Sequence, residues 1–259
     1  MKVVILAGGL GTRISEESVF RPKPMIEIGG MPILWHIMKT YAYYGFSEFI
    51  ICAGYKQHII KEWFADYFLH TSDITFDYSR GNNEIIVHNK HVEPWKVTVV
   101  DTGLNTSTGG RMTAIKNYIG NERFMLTYGD GVADVNIPKV LDYHNSHGKI
   151  GTLCMYSFTQ SKGVVEVGRD GIIDAFREKS DTDGDLINIG FMVLEPSIFD
   201  YIHGDEPFEY EPMNRVVKDR QLAGFVHKGF WQCMDTKREM EKLERLWAEG
   251  KAPWKLWEE

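Results

Sequence analysis

The sequence predicts an α/β fold, a Rossmann-like doubly wound mixed sheet with a smaller β-rich portion. Three observations carry that expectation. Val3 to Leu6 form an apolar run that breaks at Gly8, Gly9 and Gly11, the pattern of a buried strand entering a glycine-rich turn. From there to about residue 150, short apolar runs alternate with segments of helical period, as βαβα units do. Beyond residue 150 the pattern turns largely to short strands separated by polar turns.

The elements follow in order. In 32–44, Ile33, Leu34, Ile37, Met38 and Tyr41 recur at helical spacing and Gly45 stands at the C-cap position. Residues 49–52 read as a buried strand and 56–69 as a helix. Strands are expected at 74–78, 84–88 and 97–100, the first two joined by the turn at 80–83. A helix to about Tyr118 follows Gly109-Gly110-Arg111, and a strand at 124–127 ends in Tyr128-Gly129-Asp130-Gly131. That places a carboxylate at a strand's C-terminal tip, the edge where open α/β sheets bind ligands. After a helix near Val140 come strands at 151–158, 163–167, 172–176 and 187–194. Helices at 196–202 and 211–220, strands at 222–227 and 230–233, Asp235, and a helix from Thr236 to about Trp247 complete the chain.

The chain has 259 residues, 43% hydrophobic, enough for one large α/β domain or two small ones. We read one. A net charge of −7 argues against a nucleic-acid surface, which needs a basic footprint. Cys52, Cys154 and Cys233 lie far apart with no C-x-x-C, so free thiols in a reducing compartment are expected. The start MKVVILAGG lacks the apolar core of a signal peptide, and no run approaches the ~18 apolar residues of a membrane span. A cytoplasmic protein with no membrane partner is therefore expected. The tail KAPWKLWEE, with Trp254 and Trp257 after Trp247, is expected to pack against the body or a neighbouring subunit rather than to stack on a sugar.

The first turn suits phosphate. Glycine accepts φ > 0 and has no Cβ, so successive N–H groups can face one anion, and Arg13 adds a cation at the rim. Pro22-Lys23-Pro24 is expected to hold Lys23 on an extended, stiff mount. The Rossmann fingerprint fails at Ile14, and neither Gly148-Lys149 nor Gly250-Lys251 makes a Walker loop. Taken alone, G-G-x-G also suits a tight βα turn with solvated Arg13 and Lys23.

Transfer at phosphorus needs cations and carboxylates able to hold Mg²⁺. Asp130 and Asp235, each at a predicted strand tip, suit a shared metal; alone, either is as readily a turn residue or a helix cap. No general base stands out. His144 and His147 fall on an expected solvated helix end, and His58, His70, His88 and His91 have no evident carboxylate partner. A phosphate-monoester nucleophile, with a second pKa of about 6, needs no base at neutral pH.

LAGGLGTR at 6–13 followed by PKPMIEIGGMPIL at 22–34 resembles the signature of the sugar-phosphate nucleotidylyltransferases. DTG at 101, STGGR at 107, TYGDGVAD at 127, GVVEV at 163, FREK at 176, INIGF at 187 and WQCMDT at 231 extend the resemblance over the whole chain. With HIMKTYAYYG, EPW at 93 and the ending KAPWKLW, it is closest to the cytidylyltransferase branch acting on glucose 1-phosphate. The resemblance implies conversion of CTP and α-D-glucose 1-phosphate to CDP-glucose and pyrophosphate, by in-line attack of the sugar phosphate on the α-phosphorus. It implies a nucleotide site from Leu6, Ala7, Gly8, Gly9 and Leu10, with Gly11, Thr12 and Arg13 on the phosphates and Lys23 neutralising the α-phosphate. Thr106, Arg111 and Gly129 complete that site, and Asp130 and Asp235 hold Mg²⁺. Glu178 and Lys179 contact the sugar and its phosphate, with Asn188 in the same pocket. Arg13, Lys23 and Asp130 are the catalytic set. Residues 1–150 are then mainly nucleotide-binding, 151–235 mainly sugar-binding, and 236–259 a C-terminal helix and tail. The family further implies a homo-oligomer, a hexamer, in surface-polysaccharide synthesis (O-antigen, lipopolysaccharide).

Met31, Ser180 and Ile189 depart from the family pattern near the sugar pocket, with bulky Ile189 expected to reshape it, so the chemistry is better fixed than the sugar. Two alternatives stand beside this reading. One is the same chemistry with another sugar 1-phosphate or with UTP or dTTP. The other is a non-catalytic nucleotide-sugar sensor, which has no need of transition-state cations or metal carboxylates.

Overall fold

A computed structural model describes residues 1–11, 14, 18–79, 81, 83–88, 92–158, 164–167, 173–177 and 185–258. Strand β1 (Lys2–Ala7) leads through the glycine turn to a 3-10 turn at Lys23–Met25 and the small hairpin β2 (Glu27–Ile28) and β3 (Met31–Pro32). Helix α1 (Ile33–Tyr43), β4 (Glu48–Ala53), α2 (Gln57–Ala65) and α3 (Tyr67–Thr71) follow, then the hairpin β5 (Ile74–Asp77) and β6 (Glu84–Val87). Next come β7 (Lys96–Asp101), α4 (Thr108–Ile119), β8 (Phe124–Tyr128), β9 (Gly131–Ala133) and α5 (Ile137–His147). The second part contains β10 (Gly151–Phe158), the pair β11 (Val164–Val167) and β12 (Ile173–Arg177), β13 (Asp185–Leu194) and a 3-10 segment at Pro196–Tyr201. Helix α6 (Glu211–Lys218), β14 (Leu222–His227), β15 (Trp231–Cys233) and α7 (Lys237–Ala248) close it.

Seven strands share one sheet in the order β14-β10-β13-β8-β1-β4-β7. β1 runs parallel to β4 and β8, β4 to β7, and β10 to β14, whereas β13 is antiparallel to both its neighbours. Strands covered on both faces need apolar residues at every position. Val3, Ile5, Phe49 and Ile51 accordingly pack with α1 on one face, while Val4, Leu6, Ile50 and Cys52 pack with Met112, Ile115 and Ile119 of α4 on the other.

The structure corrects four expectations. The helix read at 56–69 is two, broken at Asp66. Pro22 is extended, but Lys23 enters a 3-10 turn with Pro24 at its second position, where a missing N–H costs nothing. His144 is buried rather than solvated, because its helix face meets β10: the imidazole bonds Thr152 Oγ1 at 2.8 Å and Glu195 at 3.2 Å. Ile189 is a core residue, 4% exposed, since side chains alternate along β13 and its neighbour Asn188 takes the outer face.

The tail packs on its own chain. Trp254 is fully buried, its indole N–H points at His36 Nδ1 (3.4 Å), and Trp247 stacks beside it. Glu244 of α7 accepts a hydrogen bond from the Gly29 N–H at 2.8 Å, so helix and tail together brace the β2–β3 hairpin that follows Lys23–Met25.

Candidate active site

Strand order reverses between β1 and β8, with β4 and β7 on one side of β1 and β8 on the other, and a crevice opens there at the strands' C-terminal ends. A cavity of about 470 Å³ fills it, walled by Leu6 to Gly9 and Gly11 after β1, and by Tyr128, Gly129 and Asp130 at the end of β8. Thr106, Arg111, Lys23 and Asp235 complete the expected part of the lining. Leu10 lies between these loop residues with its side chain 47% exposed and does not line the cavity.

Lys23 is the centre of the arrangement. Its Nζ donates to Asp130 Oδ2 at 2.6 Å and to Asp235 Oδ1 at 2.5 Å. Burial works against the ammonium, but the two carboxylates override it and hold the Lys23 pKa above its ordinary value. Residues distant in sequence meet here because β9 and β15 pair antiparallel with Gly131 opposite Cys233, and the Met234 N–H donates to the Asp130 carbonyl at 2.8 Å. The two carboxylates therefore emerge from one end of a backbone ladder. Asp235 is fixed further by Glu239, which accepts the Asp235 N–H at 2.8 Å and forms a capping box with Thr236 at the start of α7.

Arg111, besides lining the cavity, holds its neighbouring loops together. Its guanidinium donates to Thr102 Oγ1 at 2.7 Å, to Gly103 O at 2.8 Å, to Gly8 O at 3.0 Å and to Leu104 O at 3.3 Å. The side chain knits together the loops after β1 and β7. A Cβ on Gly8 would lie 2.1 Å from Arg111 Nη1, so that glycine is required by the arginine beneath it. Gly11, at φ +66°, is the glycine of this turn that needs the left-handed region.

Gly129 donates its N–H to Leu6 O at 2.9 Å and leaves no room for a side chain, with Pro24 and Leu6 O both 3.0 Å from its would-be Cβ. Asn188 is exposed on β13, where its Oδ1 accepts the Gly190 N–H at 2.7 Å; it adjoins the hydroxyl of Tyr128, a wall residue, without lining the cavity itself. Thr12, Arg13, Glu178, Lys179 and Ser180 lie outside the described residues. Pro207 and Glu209, in the loop before α6, line the cavity and were not singled out by the sequence. The segment EPFEYEP carries no spacing that distinguishes a site from a surface loop.

A strand-end cavity with a glycine turn, a buried lysine and two converging carboxylates is the arrangement expected of a nucleotide-handling α/β enzyme. The sequence profile of the nucleotidyl transferase family matches residues 2–236, and the chain belongs to that family. It is 52% identical to the glucose-1-phosphate cytidylyltransferase of Salmonella typhimurium over 260 aligned residues, covering 100% of both chains. It is 44% identical to the probable glucose-1-phosphate cytidylyltransferase of Bacillus subtilis, covering 99% of this chain and 100% of that one. Among solved structures, HddC from Yersinia pseudotuberculosis superposes with a TM-score of 0.66 at 23% identity, covering 95% of this chain and 99% of that one, a likeness of fold.

Proposed function

We propose that this protein makes CDP-glucose and pyrophosphate from CTP and α-D-glucose 1-phosphate. Full-length identity of 52% to a glucose-1-phosphate cytidylyltransferase supports the substrates, and the Lys23–Asp130–Asp235 cluster lining the cavity is the observation that carries the chemistry. The sugar phosphate attacks the α-phosphorus in line and pyrophosphate leaves. Lys23, released from a carboxylate as the triphosphate enters, neutralises charge growing on the α-phosphate. Gly8 to Gly11 hold the phosphates with backbone N–H groups, Arg13 adds a cation, and Arg111 keeps the turn in shape. No histidine lines the cavity among the described residues, in keeping with a nucleophile that is ionised at neutral pH.

Asp130 and Asp235 suit Mg²⁺. Both are hard oxygen donors, both converge on the Lys23 ammonium within 2.6 Å and so could hold an ion once that ammonium moves to the phosphate, and no third ligating side chain joins them among the described residues. Sparse carboxylate ligation of this kind leaves room for water and phosphate oxygens. Bound there, the ion would neutralise the phosphates and help orient them. Glu178, Lys179 and Asn188 are proposed to recognise the hexose. A cytoplasmic homo-oligomer, a hexamer, completes the reading. No helix among the described residues is long and apolar enough to cross a membrane.

The test is pyrophosphate release from each of CTP, UTP, dTTP and GTP with a panel of sugar 1-phosphates. CTP with glucose 1-phosphate should be fastest; faster turnover with UTP or dTTP refutes the base, and no turnover with any pair favours a sensor.

A further inference from the structure

Glu209 reaches the cavity from a loop to which no role has been given. The loop is tied to the start of α4: Asp205 accepts the Ser107 N–H at 2.7 Å, Glu206 O accepts the Gly109 N–H at 2.9 Å, and the Phe208 N–H donates to Thr108 Oγ1 at 2.8 Å. That last bond occupies the Thr108 oxygen as an acceptor and turns its single proton toward Glu209 Oε2, 2.5 Å away. Tyr128 donates its hydroxyl to Glu209 Oε1 at 2.7 Å. The tyrosine ring is seated by Gly190, whose would-be Cβ lies 2.2 Å from it. Each carboxylate oxygen is thus aimed by one neutral hydroxyl and keeps a further lone pair.

Among the described residues no cation bonds Glu209 in the way that Lys23 bonds Asp130 and Asp235, so the substrate group that suits it is a neutral donor rather than a phosphate. The ionised carboxylate accepts hydrogen bonds and cannot donate them. We propose that Glu209 is a specificity-determining acceptor for a neutral N–H or O–H donor carried by a substrate ring, either the exocyclic amino group of the cytosine or a hydroxyl of the ribose or hexose. The inference rests on the nucleotidyl-transfer reading for the identity of those rings. A half-buried acceptor that substrate covers and leaves facing a carbonyl, or facing no donor, loses binding, which is how such a site discriminates.

The experiment compares wild type with Glu209→Gln, using Tyr128→Phe as a milder companion. Three discrimination ratios in kcat/KM are measured: CTP over UTP, CTP over 2′-deoxy-CTP, and glucose 1-phosphate over its singly deoxygenated analogues. Calorimetric Kd values for the three nucleotides give the first two ratios without turnover, and those for glucose 1-phosphate and its analogues give the third. Glu209→Gln should lower at least one ratio fivefold or more with its melting temperature held, and the ratio that moves identifies the donor as base, ribose or hexose. If every ratio stays within fivefold of wild type, by rate and by Kd, Glu209 only ties its loop to α4 and the proposal fails. A wild type that turns over no pair would instead refute the nucleotidyl-transfer reading, with the nucleotide and sugar-phosphate Kd ratios still deciding for or against Glu209.

Discussion

Arg111 Nη2 donates to the carbonyl oxygen of Gly8 at 3.0 Å, and through that bond a helix residue sets the shape of a turn 103 positions earlier. Burial pulls the guanidinium below its ordinary pKa, though arginine starts high enough to stay charged. Its fork spans five acceptors, the Ala53 carbonyl at 3.4 Å among them, that a point-like ammonium cannot reach together. Arg111→Lys should therefore lower the unfolding free energy by about 2–4 kcal/mol, since several buried acceptors lose their donor. Urea denaturation measures that loss, and KM for the nucleotide should rise in parallel. A stable variant with an altered KM alone would mean that Arg111 acts on the substrate directly.

Lys23→Ala removes the cation between Asp130 and Asp235. The expected result is a kcat lower by about 10³-fold or more, a range reached when an electrostatic stabiliser of the transition state is lost. Circular dichroism should show the fold intact. A loss below about tenfold would show that Lys23 does not stabilise the transition state.

Acid should loosen the C-terminal brace through His36. The ring is buried with Nε2 against the Ile28 carbonyl at 2.8 Å, an acceptor, so Nε2 carries the proton and Nδ1 faces the Trp254 N–H. Burial pushes its pKa down to about 4 from 6.5. The unfolded chain binds a proton first, so stability contributed by the neutral ring is complete above pH 6.5 and is lost as pH falls toward 4. The loss over that window is about 3 kcal/mol. Urea midpoints at pH 7.5 and 4.5 should differ accordingly, and His36→Gln should flatten the difference. Equal slopes in the two proteins would remove His36 from the account.

Gly29→Ala tests the hairpin brace. Gly29 has φ +60°, and a Cβ there would lie 1.9 Å from Trp247 Nε1. Strain and overlap together should cost about 2 kcal/mol or more. The Trp247 fluorescence should shift as the indole is displaced, and kcat should fall with it because the hairpin adjoins Lys23. An unchanged melting temperature would show that tail and hairpin are not coupled.

Local physics made much of this legible in the sequence. The apolar run at Val3 to Leu6, the helical period in 33–43 and the turn glycines each fix a φ/ψ preference or a buried face within a few residues, and the elements formed where those patterns lay. The pairing of glycine turn and proline-flanked lysine likewise announced phosphate chemistry. What pattern could not supply was partnership across the fold. Asp130 and Asp235 meet because β9 and β15 happen to pair, a long-range ladder with no local signature. The scaffold part of Arg111 was not legible because its acceptors after β1 and β7 are assembled only by tertiary packing, and His144 left solvent because its helix face lands on β10. Glu209 entered the cavity because α4 captures its loop. Residue spacing specifies which groups exist and which way a strand or helix turns them; only the packed chain decides which of them share one pocket.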